Sequence, residues 1–316
     1  MDGIKGALLE EFEEALAEEL RSDVGFIQAI GDDLVSAGGK RLRPTLALLT
    51  GRLTDCDPEK AITAALAVEL LHSASLLHDD LIDDAATRRG AQSAFLRYGN
   101  VVSVMSGDFM LARVLGLLAR SGSEEFIRLM AHAAAALCEG EVLQFQTATL
   151  QDWSFAGYRR IIEGKTAELM AAATEGVGLL AGVDSEQRGA LRRFAMAYGR
   201  AFQLRDDYLD LLGDPAQLGK PIGGDLREGK ATYPVLLVVL EEGNEEARTI
   251  LMRHGGSDGD VERMIALVRE HDADERTRQL IAEETDDALA ELSVFPESAA
   301  RRALAGLVEH ERTRLR

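Results

Sequence analysis

Two aspartate clusters stand out, Asp79-Asp80-Leu81-Ile82-Asp83-Asp84 and Asp206-Asp207-Tyr208-Leu209-Asp210. Each lies in a largely apolar stretch with helical periodicity. Carboxylates one turn apart share a helix face, which pairs Asp79 with Asp83 and Asp206 with Asp210. Unpaired carboxylates repel one another and are costly to bury. Such clusters therefore ask for hard cations. Mg²⁺ takes a few carboxylates and completes its octahedron with water and substrate phosphates. One cluster alone also fits a solvated helix face. Two of them predict a diphosphate held through metal ions by two facing helices.

A basic turn supplies the complementary chemistry. Gly38-Gly39-Lys40-Arg41-Leu42-Arg43-Pro44 precedes an apolar helix. Its glycines free the backbone, and Lys and Arg present donors matched to phosphate oxygens. Beside two acidic clusters this turn reads as a second anion site, bound without metal. Lys165 sits in an apolar helix, where an uncompensated ammonium is costly; a diphosphate partner resolves that cost, and a surface-facing lysine is the other reading.

The elements that must position these groups are helices. Apolar residues recur at three- and four-residue steps through 5–20, 24–37, 42–53, 59–84, 94–120, 123–148, 155–181 and 186–212. Shorter helices are predicted at 231–242, 244–253, 258–271, 275–292 and 297–313. Breaks fall at Gly38-Gly39, Asp55-Cys56-Asp57-Pro58, Gly90, Ser121-Gly122-Ser123, Gly182-Val183-Asp184 and Gly213-Asp214-Pro215, and a Gly-rich loop spans 218–225. No internal repeat or linker divides the chain. One all-α domain over residues 1–316 is expected. The Ala-rich, aromatic-poor helices suit close packing, and equally a lined cavity.

Composition narrows the function. The net charge of −19 opposes nucleic-acid binding, which needs a basic footprint. Glu10-Glu11-Phe12-Glu13-Glu14 and Glu241-Glu242 read as solubilising surface. No apolar stretch is expected to span a bilayer, and the acidic start lacks the basic region of a signal peptide. A cytoplasmic protein without a transmembrane segment is expected. Cys56 and Cys138 have no metal-type spacing and read as buried free thiols.

Further blocks follow in order: Arg88-Arg89-Gly90 after the first cluster, Gly164-Lys165-Thr166-Ala167, Phe202-Gln203 before the second cluster, Gly219-Lys220-Pro221, Asp225 and Gly229-Lys230. With the basic turn and both aspartate motifs, the chain from Gly38 to Pro234 resembles the all-trans isoprenyl diphosphate synthases. Tyr233 stands where Leu is commoner in that family. The resemblance implies an all-α antiparallel helical barrel, the isoprenoid synthase fold, around a deep apolar cavity, and a homodimer. It implies Mg²⁺ bound directly by Asp79, Asp83 and Asp206, with Asp80, Asp207 and Asp210 in support. Arg88, Lys165, Lys220 and Lys230 would add positive charge to the allylic diphosphate. Lys40, Arg43, His72 and Arg89 would hold isopentenyl diphosphate, which Phe202 also contacts. Thr166 and Gln203 would line the space where the allylic cation forms. His78 is read as structural or supporting.

In this family the residues just before the first aspartate motif set pocket depth. Here they are Ala74 and Ser75, both small, and Ser75 lies one turn from Asp79 on its face. The expected product is a medium- or long-chain all-trans polyprenyl diphosphate, octaprenyl-like, of the quinone side-chain type. A floor at Leu71, Met105 or Phe109 would instead give geranylgeranyl or farnesyl diphosphate. A terpene cyclase would not need the basic turn, and a di-iron bundle needs two Glu-x-x-His motifs where only Glu69-Leu70-Leu71-His72 fits. A non-catalytic partner subunit would be expected to lose aspartates that are intact here.

Overall fold

The computed structural model describes residues 2–36, 38–82, 87–88, 91–218 and 221–314. Asp83, Asp84, Arg89, Gly90, Gly219 and Lys220 lie outside the described residues, as does the side chain of Arg88. Among the described residues the regular structure is helical apart from one antiparallel pair of two-residue strands, β1 (Thr87–Arg88) and β2 (Ala91–Gln92). It divides into two compact units, residues 1–134, 172–189 and 297–304 in one, and 135–171, 190–296 and 305–316 in the other.

The first unit contains α1 (Asp2–Glu19), α2 (Gly25–Ser36), α3 (Leu42–Leu53), α4 (Pro58–Ile82), α5 (Ala94–Tyr98), α6 (Asn100–Ser121) and the start of α7 (Glu124–Leu150). Pro58 opens α4, where its missing N–H is no loss. Asp57 Oδ1 accepts the exposed N–H groups of Glu59 and Lys60, at 2.9 and 3.3 Å. α4 is the spine of this unit and packs against α3, α5 and α6. Its Ala61, Ala64, Ala65 and Ala67 are buried, together with Phe12 and Leu16 of α1. A Cβ on Gly107 of α6 would come within 2.4 Å of His78 Nε2, so this glycine sets the close approach of α6 to the end of α4.

Two expectations need correction here. The helix predicted over 94–120 is interrupted, because Gly99 takes φ 86°, which ends α5 and starts α6. Among the described residues two helices, α4 and α6, are long and apolar enough to cross a membrane by length and composition. In α4 the apolar window is 61% buried, as core packing requires. In α6 it is 39% buried, and Val101, Met105 and Leu115 are exposed.

The second unit holds the remainder of α7, then α8 (Phe155–Ile162), which runs through a π-turn at Glu163–Ala167 into the start of α9 (Glu168–Ala181), whose residues from 172 on belong to the first unit. α10 (Ser185–Leu212) follows and belongs to the second unit from residue 190 on. After it come α11 (Pro215–Leu218), α12 (Gly224–Arg227), α13 (Tyr233–Leu236), α14 (Glu245–Met252), α15 (Asp260–Glu270), α16 (Ala273–Glu291) and α17 (Ala299–Thr313). The two single-turn helices α11 and α12 lie around the segment read as a Gly-rich loop. The core gathers Leu204 and Leu211 of α10, Val235 to Val239, Met264 and Leu267 of α15, and Ile281 of α16. Gly164 meets α7 closely, since a Cβ there would sit 2.6 Å from the Ala136 carbonyl oxygen. Cys56 is buried as expected, but Cys138 is exposed on α7.

Candidate active site

In the first unit the basic turn separates its cations by burial. Gly38 and Gly39 take φ 55° and 100°, and Arg41 itself is left-handed at φ 43°. That conformation is uncommon for a side-chain-bearing residue. Arg41 turns inward, where its guanidinium meets Glu13 Oε1 at 2.7 Å, Glu69 Oε1 at 2.8 Å and the Leu34 carbonyl at 3.1 Å. Burial opposes its charge, and the Glu13 and Glu69 carboxylates outweigh burial and raise its pKa. Glu13 is therefore a structural anchor as well as part of an acidic surface. Lys40 stays exposed and Arg43 half-buried on the first turn of α3.

The end of α4 presents His72, Ser75 and Asp79, all half-buried, while Asp80 is buried at 3% exposure. Ser75 Oγ donates back to the His72 carbonyl at 2.8 Å. Ala74 has no exposed surface. His78 Nε2 lies 3.2 Å from the Val104 carbonyl and 3.6 Å from Asp108 of α6, which pins the residue preceding the motif. An apolar cavity of about 330 Å³ lies beside α4, lined by Ser73, Leu76, Leu77 and Asp80, with Ile30 and Met110 from α2 and α6. The Asp33–Arg97 ion pair, at 2.6 Å, also borders it.

In the second unit a chain of hydrogen bonds runs through the second motif. Thr166 Oγ1 donates to Gln203 Oε1 at 2.9 Å, and Gln203 Nε2 donates to Asp207 Oδ1 at 2.8 Å. The Tyr158 hydroxyl donates to Asp207 Oδ2 at 2.7 Å. The π-turn at Glu163–Ala167 carries both Lys165 and Thr166. Single π-turns inside helices recur at functional sites, and this one joins two runs that periodicity reads as one helix. Lys165 Nζ meets Glu141 Oε2 at 2.7 Å and donates to Gln144 Oε1 at 3.0 Å. Its charge thus has partners within the fold.

The three aspartates of this motif have different partners. Asp206, with a side chain 41% exposed, meets Arg314 at 2.7 Å. Asp207 is buried under Tyr158 and Gln203. Asp210 Oδ2 accepts the Asp225 N–H at 2.9 Å, and the Asp210 carbonyl accepts the Gly223 N–H. The Asp207 carboxyl is pushed up to about 8, first by burial and then by the Asp225 and Asp206 carboxylates; its hydrogen bonds from Gln203 and Tyr158 act the other way. Lys230 pairs with Glu228 and lies 3.8 Å from Asp225. Phe202 offers its carbonyl to Arg314 at 3.3 Å, and the guanidinium lies 4.7 Å from its ring centroid.

Sequence reading missed Tyr158, Glu141, Gln144 and Arg314. Tyr158 lies 49 residues from Asp207 and Arg314 lies 112 from Phe202, and no spacing rule spans such separations. Among the described residues no three His, Cys, Asp or Glu side chains form a closed metal cage. Asp83 lies outside those residues. The donor set still suits a hard divalent ion, because it is all carboxylate and such an ion keeps water and substrate oxygens in its shell. The Asp225 and Asp206 carboxylates add to burial, the first cause, in raising the Asp207 carboxyl, and a divalent cation would offset their charge.

An all-helical fold with aspartate-rich helix segments and Lys and Arg near them defines the isoprenoid synthase class. The polyprenyl synthetase profile matches residues 24–268, and the chain belongs to that family. It is 38% identical to octaprenyl diphosphate synthase of Escherichia coli (strain K12) over 295 residues, 93% of this chain and 91% of the relative. It is also 38% identical to all-trans-nonaprenyl-diphosphate synthase (geranyl-diphosphate specific) of Rhodobacter capsulatus over 293 residues, 92% of this chain and 90% of the relative. A solved polyprenyl synthase of Caulobacter crescentus CB15, complexed with calcium and isoprenyl diphosphate, superposes with a TM-score of 0.92 at 37% identity, covering 100% of this chain and 97% of that one. The chain is a trans-prenyltransferase.

Proposed function

We propose that this chain condenses isopentenyl diphosphate with an allylic diphosphate in repeated rounds, with Mg²⁺, to an octaprenyl-like all-trans product. The observation that carries the reading is the Thr166–Gln203–Asp207–Tyr158 hydrogen-bond chain, which orders a Lys-Thr pair and an aspartate motif in one polar array. In this reading Asp79, Asp83 and Asp206 hold Mg²⁺, with Asp80, Asp207 and Asp210 supporting them. Bound Mg²⁺ would supply Lewis-acid stabilisation of the charge that develops on the departing diphosphate. Lys165, Lys220, Lys230 and Arg88 add positive charge to the same group. Lys40, Arg43, His72, Arg89 and Phe202 bind isopentenyl diphosphate.

Thr166 and Gln203 offer oxygen dipoles to the allylic cation. Thr166 donates its proton to Gln203 and Gln203 one amide hydrogen to Asp207, so the lone pairs of the Thr166 hydroxyl remain available. The double bond of isopentenyl diphosphate attacks the cation, and the adduct loses a proton to the departed diphosphate. Apolar walls exclude water that would quench the cation. Ala74 and Ser75 would leave room for the growing tail.

The reading extends to one domain over residues 1–316, a homodimer and a cytoplasmic location. Four helices, α7, α9, α10 and α17, run across the boundaries between the two units, which supports a single cooperative domain. A single thermal transition, sedimentation at the dimer mass and recovery in the soluble cell fraction are the matching measurements.

The deciding experiment incubates the purified chain with Mg²⁺, isopentenyl diphosphate and farnesyl diphosphate and resolves the products by length. A ladder ending well beyond geranylgeranyl diphosphate is expected. A stop at geranylgeranyl diphosphate would overturn the chain length, and no elongation would overturn the activity assigned to the isolated chain.

A further inference from the structure

One face of α10 carries Arg192, Gly199, Arg200, Gln203 and Asp207, which helical spacing sets in a single stripe. Each of them meets the run from α8 through the π-turn to the start of α9. Asp207 accepts from Tyr158, Gln203 accepts from Thr166, Arg200 Nη1 donates to Glu163 Oε1 at 3.3 Å, and Arg192 Nη2 donates to Glu168 Oε1 at 2.7 Å. Gly199 lets the two backbones approach, because a Cβ there would lie 2.5 Å from Ala167 Cα.

The π-turn closes where the Glu168 N–H donates to the Glu163 carbonyl, five residues back. The side chains of these same two residues are the ones the α10 arginines take. An α-helical turn would close one residue earlier, and one residue is about 100° of rotation at roughly 3.6 residues per turn. Such a relaxation ahead of Thr166 would swing its hydroxyl away from Gln203. Arg200 opposes it by tying the turn to the rest of the unit. Its side chain is 13% exposed, and its fork spans Glu163 on the π-turn and Glu284 on α16, the latter through Nε at 2.8 Å and Nη2 at 2.6 Å. Glu163 has a second partner, Arg159, at 3.0 Å, but that residue is exposed and belongs to the same helical run, so it fixes nothing against α10.

We propose that Arg200 is a positioning residue for the prenyl transfer: through Glu163 it holds the π-turn in the register at which Thr166 reaches Gln203. This role rests on the reading of Thr166 as lining the allylic cation, and Arg200 acts on that cation only through Thr166.

The two carboxylates on one guanidinium separate positioning from stability. Glu163→Ala, Glu284→Ala, Arg200→Met and Thr166→Val are made in the intact chain. Each is followed by thermal melting and by the single-turnover rate of condensation of farnesyl diphosphate with isopentenyl diphosphate in MgCl₂. Glu163→Ala is expected to slow the single turnover about tenfold, as a displaced reacting geometry does. Glu284→Ala is expected to lower the melting temperature and leave the rate unchanged. Arg200→Met should show both losses. In the double variant Glu163→Ala/Thr166→Val the rate should equal that of Thr166→Val alone, since a residue acting through Thr166 then has nothing left to place. Equal rate losses in Glu163→Ala and Glu284→Ala, losses that multiply in the double variant, or a wild-type rate in Glu163→Ala would overturn the proposal and leave Arg200 a stabilising contact, with the reading of Thr166 intact. A wild-type rate in Thr166→Val would overturn that reading, and the role of Arg200 with it.

Discussion

The Tyr158 hydroxyl and the Asp207 carboxylate meet at 2.7 Å inside the second unit, both of them buried. Tyr158 stands on α8, ahead of the π-turn that carries Lys165 and Thr166, and Asp207 stands on α10. The bond therefore fixes the two elements that carry this half of the site. Asp207 holds Tyr158 in turn, since burial first and then that carboxylate push the phenol pKa well above its ordinary value. Tyr158→Phe removes a hydrogen-bond partner from the buried Asp207 carboxyl group, which should cost about 1–3 kcal/mol. A lower thermal midpoint and a reduced kcat/KM for the allylic substrate are expected. Wild-type values in both would separate Asp207 from this partner.

The chain-length reading takes a sharper form from burial. Ala74 has no exposed surface, so Ala74→Phe overpacks α4 and should cost about 1–3 kcal/mol in stability. It is still expected to shorten the product. Ser75 is half-buried and its hydroxyl reaches only back to its own helix. Ser75→Phe should shorten the product with a smaller stability loss. Product length by chromatography and melting temperature together test the pair, and an unchanged length in both variants would move the floor elsewhere on the helices.

Asp79→Ala removes one of the carboxylates assigned to Mg²⁺, and most activity should be lost. The comparison is turnover against Mg²⁺ concentration. Near-normal turnover at ordinary Mg²⁺ would contradict the assignment.

Arg314 joins Glu311, Asp206 and the Phe202 carbonyl, and its side chain is 3% exposed. Arg314→Leu removes the cation that meets buried Glu311, and breaking such a pair costs about 3–5 kcal/mol. Denaturant unfolding should show the loss. An unchanged midpoint would mean that the end of α17 contributes nothing to holding α10.

Asp260 supplies a pH test away from the site. The Arg253 guanidinium lowers the pKa of this carboxyl, against burial and with help from the Ser257 N–H, which lies 3.0 Å from Oδ2. A carboxyl with a depressed folded-state pKa adds stability above its unfolded pKa. That stability drains as pH falls through the folded value. Asp260→Asn should therefore lower stability near neutrality and flatten its fall in acid, as melting temperature against pH would show.

The sequence alone carried the helical class, because apolar periodicity is local and survives without knowledge of contacts. Both aspartate motifs, the basic turn and the Lys-Thr block were equally legible, since each is a short run whose chemistry is written in adjacent residues. Where backbone geometry intervened, periodicity failed. Gly99 breaks a run that looks continuous, and the π-turn at Glu163–Ala167 keeps the apolar rhythm while shifting the register of Lys165 and Thr166. What only the tertiary structure decided was which partner each charged group takes. Arg41 and Arg43 are near neighbours, yet a left-handed backbone sends Arg41 inward to Glu13 and Glu69. Tyr158 and Arg314 reach Asp207 and Asp206 from distant segments, because helices that are far apart in sequence are brought together by burying their apolar faces, and that force is blind to sequence separation.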